Sequence, residues 1–184
     1  MTMDQRLAMI RQAPLTWDAI TGGKRTWPCF DDHVVADLGP DPDGVRFEAI
    51  AKQMLEGHYY PPDVITFSGD FRSEGRQLQK GDRVLQFLSL WPGSKNLGLW
   101  GSVEMSTVEH SADFCKIGYV TTELHHGKGS WSASLRRVDG NLEQEVEGSV
   151  MPHSWLFWVG MPIARYYQKR AWRRAIAMHR GTGC

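Results

Sequence analysis

The chain has 184 residues, 41% apolar and 23% charged, the proportions of an ordinary globular protein. A domain of this size buries roughly two thirds of its unfolded surface, so neither disulfides nor a structural metal is required to hold it together. Lys and Arg number 21, as do Asp and Glu, which removes the long-range field that gathers nucleic acid.

Cys29, Cys115 and Cys184 are far apart and form neither a disulfide framework nor a paired metal-ligand motif. Reduced, inert thiols in a cytoplasmic protein are expected. The opening MTMDQRLAMIRQ has no apolar core of the kind a secretory signal needs. The longest apolar stretch, Trp155 to Ala164, is about half a membrane span. A soluble protein without a transmembrane segment is expected, its oligomeric state left open. Eight tryptophans are an unusual share; they suit either core filling or an aromatic-lined cavity.

Leu7, Ile10 and Arg11 lie at helical spacing and predict a short helix over 3–12. An irregular arm follows to Pro28, then a strand over His33–Leu38 ending at the turn cluster Gly39 to Gly44. Phe47, Ile50, Ala51 and Met54 mark one face of a helix, with Asp43 as expected N-cap and Gly57 as terminator. Strands are expected over 64–71, 83–91, 97–108, 112–123, 130–138 and 141–150. The first ends before a Gly- and charge-rich stretch, the second at Pro92-Gly93-Ser94, and Asp139-Gly140-Asn141 is the clearest hairpin signal. Short connections demand antiparallel pairing.

The last element is a helix over Pro162–Arg180, with Pro162 in its first turn. Ala164, Tyr167, Ala171, Ala175 and Met178 are expected on one face. Arg165, Lys169, Arg173 and Arg180 are expected as a basic patch on the other. The fold class is α+β: a curved antiparallel sheet against a long C-terminal helix, helices on one face, and a shorter helix near 46–57. One domain spans 1–184, with residues 1–30 an arm and 31–184 the core.

The loop Thr121 to Gly129 contains Glu123, His125 and His126, candidates for acid–base work or a metal. Adjacent histidines on extended backbone point apart, and nothing brings His58, His110 or His153 to them, so no metal is expected. Gly127-Lys128-Gly129-Ser130 lacks the full spacing of a phosphate loop. No GxSxG elbow occurs, and no cofactor is expected.

The second half of the chain resembles the DUF1990 family of uncharacterised proteins. The likeness runs over about 130 residues from Gly44. It is carried by Gly44-Val45-Arg46-Phe47 with Ala49 and Leu55, by Gly118-Tyr119 through Thr121, His125 and Gly129, and by Pro162, Arg165 and Gln168. Where that family has two glutamates after the glycine, this chain has Ser130 and Trp131. The element order also resembles the helix-grip class, which includes lipid-transfer START domains and polyketide cyclases, where sheet and helix enclose an apolar cavity.

Three functions follow as expectations. The first is a non-enzymatic carrier or sensor of a small apolar ligand, its pocket drawn from Trp100, Tyr119, Thr121, His125, Trp131, Tyr167 and Ala171. The second is an enzyme in the same pocket with His125 or Glu123 as acid–base residue. The third is a peripheral membrane or protein-interaction module using Trp155 to Trp158 and the basic helix face.

Overall fold

A computed structural model describes residues 3–17, 29–91, 97–152 and 155–183, with side chains from Trp158 onward in the last stretch. Its elements are α1 (Met3–Ile10), β1 (Phe30–Pro40), α2 (Val45–Leu55), β2 (Ile65–Ser68), α3 (Asp70–Ser73), β3 (Arg83–Ser89), β4 (Gly98–Ser111), β5 (Phe114–Thr121), β6 (Gly127–Val138), β7 (Asn141–Pro152) and α4 (Trp155–Arg180). The seven strands form one sheet in the order β1-β7-β6-β5-β4-β3-β2, antiparallel at each pairing.

Local chemistry explains most boundaries. Asp139 and Gly140 take φ of 50° and 74°, the two-residue turn whose twist matches that of its strands. Helix α2 closes at Gly57, which takes φ of 72°. There the Gly57 N–H donates to Met54 O and the His58 N–H to Gln53 O, the paired bonds of a glycine-terminated helix. Its start differs from expectation. Asp43 accepts only from Val45 N, whereas the buried Asp41 carboxylate takes the N–H groups of both Arg46 and Phe47, at 3.0 and 2.9 Å. The orphan donors of the first turn thus belong to a residue two positions earlier.

The other differences have similar local causes. The strand expected over 64–71 stops at Ser68, because the chain turns into α3 and buries Phe71 against Gly57. Residues Gly127 to Gly129, expected in a loop, already pair with β7. Pro162 lies inside α4 rather than in its first turn. The turn at Pro92-Gly93-Ser94, the arm from Asp18 to Pro28, His153, Cys184 and the side chains of Trp155 to Phe157 lie outside the described residues.

The sheet has two unlike faces. Its inner face contributes Val34, Val84, Val103, Ile117, Ala133 and Val146 to the main core, where they meet Phe47, Ile50 and Met54 of α2 and Ala171, Trp172 and Ala175 of α4. The outer face carries α1, which packs on β3, and a smaller cluster of Trp17, Val120 and Met151. The helices therefore occupy both faces, not one. Leu15 bridges Thr122, and Thr16 N–H donates to Thr121 O, tying the described part of the arm to the end of β5. Among the described residues no helix is long and apolar enough to cross a membrane.

Candidate functional site

Pairing of Tyr119 on β5 with Trp131 on β6 places two large rings side by side on the inner face. They stack with centroids 5.1 Å apart. Tyr59 meets the Trp131 ring edge-on at 4.9 Å and Tyr60 at 4.7 Å, arrangements that suit the ring quadrupoles. Behind this wall runs a buried polar chain. Gln144 Nε2 donates to the Tyr59 hydroxyl, and His179 Nδ1 meets Gln144 Oε1 at 2.8 Å. Burial pushes the Tyr59 phenol up and the His179 imidazole down to about 4, so both are neutral near pH 7 and hold the helix end to the sheet without charge.

Two donors on the inner face lack acceptors. The Trp131 indole Nε1 and the Gln86 Nε2 are buried with no hydrogen-bond partner. Burial pushes the Tyr119 phenol up to about 12, offset in part by the Gln86 amide beside its hydroxyl, while Gln86 Nε2 itself has no hydrogen-bond partner. Buried polar groups are normally paired, so two orphan donors next to one aromatic ring are an uncommon conjunction.

The residues of the 122–126 loop behave differently from their sequence promise. Thr122 Oγ1 donates to Ser102 O, and the half-buried His125 ring lies against Gly101, whose missing side chain makes room: a Cβ there would sit 2.5 Å from His125 Cδ2. His125 Nδ1 is held by its own loop, 3.1 Å from Gly127 N and 2.9 Å from Gly127 O. Desolvation pushes this imidazole down to about 4. Thr121 is occupied structurally, its hydroxyl receiving the Gly129 N–H at 2.8 Å and lying 3.1 Å from that of Thr16. Glu123 is exposed.

Helix α4 sorts its residues by a face rotated from the expected one. Trp172, Ile176 and His179 are buried along with Ala171 and Ala175. Gly148 makes this fit possible, since a Cβ there would stand 3.2 Å from the Trp172 ring. Arg165 leaves the basic patch: it pairs with Asp32 and Gln168, and its side chain and that of Asp32 are only 15% and 14% exposed. Arg180 Nε donates to Asp37 O, which also draws it toward β1. Lys169 and Arg173 remain exposed and flank an open groove of about 410 Å³ floored by Val34, Trp172 and Ile176. Tyr167 is half-buried and donates to Leu90 O at 3.1 Å.

The structure thus puts Tyr119, Trp131 and Ala171 in one core, but not Trp100. That residue lies on the outer face, 4.6 Å from Phe87 and covered by the Arg6 guanidinium at 4.6 Å. Gln86 is not among the sequence candidates, although its polar side chain interrupts the apolar face begun by Val84. Cys115 is buried, its thiol pushed up to about 12 by desolvation. Also unanticipated is an outer-face group of His33, Glu145 and Glu147, whose ligand-type atoms lie within 4.8 Å of one another. Arg136 and Lys116 face its carboxylates at 3.4 and 3.8 Å, which makes it an ion-paired surface ladder.

No protein-family model matches the chain, and no curated protein matches it either. Solved structures do. Hypothetical protein jhp0584 from Helicobacter pylori shares 11% identity, with 88% of this chain and 93% of that one covered and a TM-score of 0.54. Protein of unknown function SA2116 from Staphylococcus aureus shares 5% identity, with coverages of 85% and 96% and a TM-score of 0.50. Ara h 8.0201 shares 10% identity, with coverages of 83% and 98% and a TM-score of 0.49. For the first two, identities this low speak to architecture alone. The chain has a helix-grip fold, a curved seven-stranded antiparallel sheet with a long C-terminal helix on its inner face.

Proposed function

We propose that this protein binds a small, mostly apolar ligand bearing one hydrogen-bond-accepting oxygen, as a carrier or sensor. The observation that carries the reading is the buried Trp131 Nε1, which has no hydrogen-bond partner although its ring stacks on Tyr119, together with the likewise unpartnered Gln86 Nε2 near the Tyr119 hydroxyl. Leaving such a group unpaired costs about 1–3 kcal/mol, and a ligand oxygen satisfies it while its apolar body lies on the aromatic wall.

Catalysis by His125 and Glu123 has less support. An imidazole pushed down to about 4 is a weak base at neutral pH, and Glu123 is exposed. The basic-surface reading loses Arg165 to Asp32 and keeps Lys169 and Arg173. Native mass spectrometry of protein purified from its own host tests the ligand reading. The expected result is a retained neutral molecule that is lost when Trp131→Phe and Gln86→Leu are combined. A bare wild-type mass, or a ligand retained equally by the double variant, contradicts it.

A further inference from the structure

The outer face of the sheet holds a hollow separate from the inner aromatic wall. Helix α1 lies across β3 and β4 and leaves about 160 Å³ between them, walled by Met9, Ile10, Leu85 and Trp100. Apolar cavities of about this volume admit one benzene-sized body.

Two polar groups line the same hollow, one from each side. On the sheet side, Ser102 is 0% exposed and its hydroxyl has no hydrogen-bond partner. Its carbonyl, in contrast, accepts from both the N–H and the hydroxyl of Thr122, so the backbone is fixed while the side chain is left over. On the helix side, the Arg6 guanidinium lies over the Trp100 ring at 4.6 Å. That stacking leaves the donor edges of the planar group available to a carboxylate. A sphere of 160 Å³ is about 7 Å across, close to the length of a ring with one polar group at each end.

We propose that this hollow is a binding site for a compact aromatic carboxylate with a hydroxyl or carbonyl oxygen opposite its acid group. The ring lies between Trp100, Leu85 and Ile10, the carboxylate meets Arg6 at the mouth, and the far oxygen pairs with the Ser102 hydroxyl. Each group answers a feature of the site: the volume sets one ring, the guanidinium sets the anion, and the orphan hydroxyl sets the second oxygen.

The test uses 4-hydroxybenzoate as probe, with the indole cross-peaks of the uniformly ¹⁵N-labelled full chain as readout. The Trp100 peak, assigned by its loss in Trp100→Phe, is expected to shift saturably with Kd on the order of 1 mM or tighter, in line with a ligand of so few atoms. Benzoate, which lacks the far oxygen, and phenol, which lacks the acid, are each expected to bind about tenfold more weakly. Ser102→Ala and Arg6→Gln are expected to weaken 4-hydroxybenzoate by about tenfold each, and Arg6→Lys by less because it keeps the charge. No saturable shift at Trp100 up to about 10 mM, well above the expected Kd, overturns the proposal. Binding that both variants leave unchanged overturns it too, because the probe then sits elsewhere. Neither result bears on the inner-face ligand, whose reporter is Trp131.

Discussion

His179 shows how burial alone converts a titratable residue into a structural one. Its ring is fully buried and faces Gln144 Oε1, and desolvation pushes its pKa down to about 4, against about 6.5 in an unfolded chain. Between those values the unfolded state holds more protons than the folded one, so stability rises with pH across the window. It is lost as pH falls from about 6.5 to about 4, by about 3 kcal/mol for this residue. Urea denaturation of the wild type and His179→Asn at pH 7 and pH 4.5 checks this: the variant is expected to show the smaller pH difference, and equal differences refute it. None of this was visible in sequence, where His179 is one residue in a basic helix end. Arg165 departs from the basic face for a related reason. A charge pattern ranks residues by type, and only the position of Asp32 on β1 decides that this arginine faces the sheet.

At the scale of elements, local signals are legible in the sequence and non-local ones are not. The Asp139-Gly140 turn and the Gly57 terminus are short-range backbone chemistry and were legible. Capping of α2 by Asp41 was not, because the chain bends back at Gly44, with φ of 77°, and delivers a carboxylate from outside the helix. Asp41→Ala is expected to cost about 1–2 kcal/mol and Asp43→Ala well under 1, as judged by equilibrium unfolding. Equal losses at the two positions refute the assignment. Strand β4 fixes the face of Trp100 by its alternation. Its register shifts between Met105 and Thr107, so odd residues face inward before the bulge and even ones after it. A bulge inserts one residue and reverses the alternation beyond it. Val103 and Met105, both apolar and odd-numbered, were the available signal that Trp100 faces outward.

The whole molecule is one sheet packed on two faces. Sheet followed by a terminal helix was readable from element order, and it led to the right architecture. Pairing of β1 with β7 was not readable, because it joins residues more than a hundred positions apart in sequence, Phe30 with Val150 and Val34 with Val146 among them. That pairing brings Asp32 to Gly148 and under α4, and so creates both the Arg165 ion pair and the groove beside Trp172. The outer face was invisible for a different reason, since it depends on where a short amphipathic α1 comes to rest.

The proposed ligand sets its oxygen against Trp131 Nε1 and Gln86 Nε2, both buried without a partner. The most direct measurement follows these two groups by ¹⁵N spectroscopy during titration with 2-acetonaphthone, a neutral aromatic ketone with one acceptor. The expected result is a saturable downfield shift of the Trp131 indole and Gln86 amide protons while the Trp100 indole stays fixed. If both signals hold still up to the solubility limit, or if only outer-face residues respond, the inner aromatic wall is packing and the ligand-binding account is wrong.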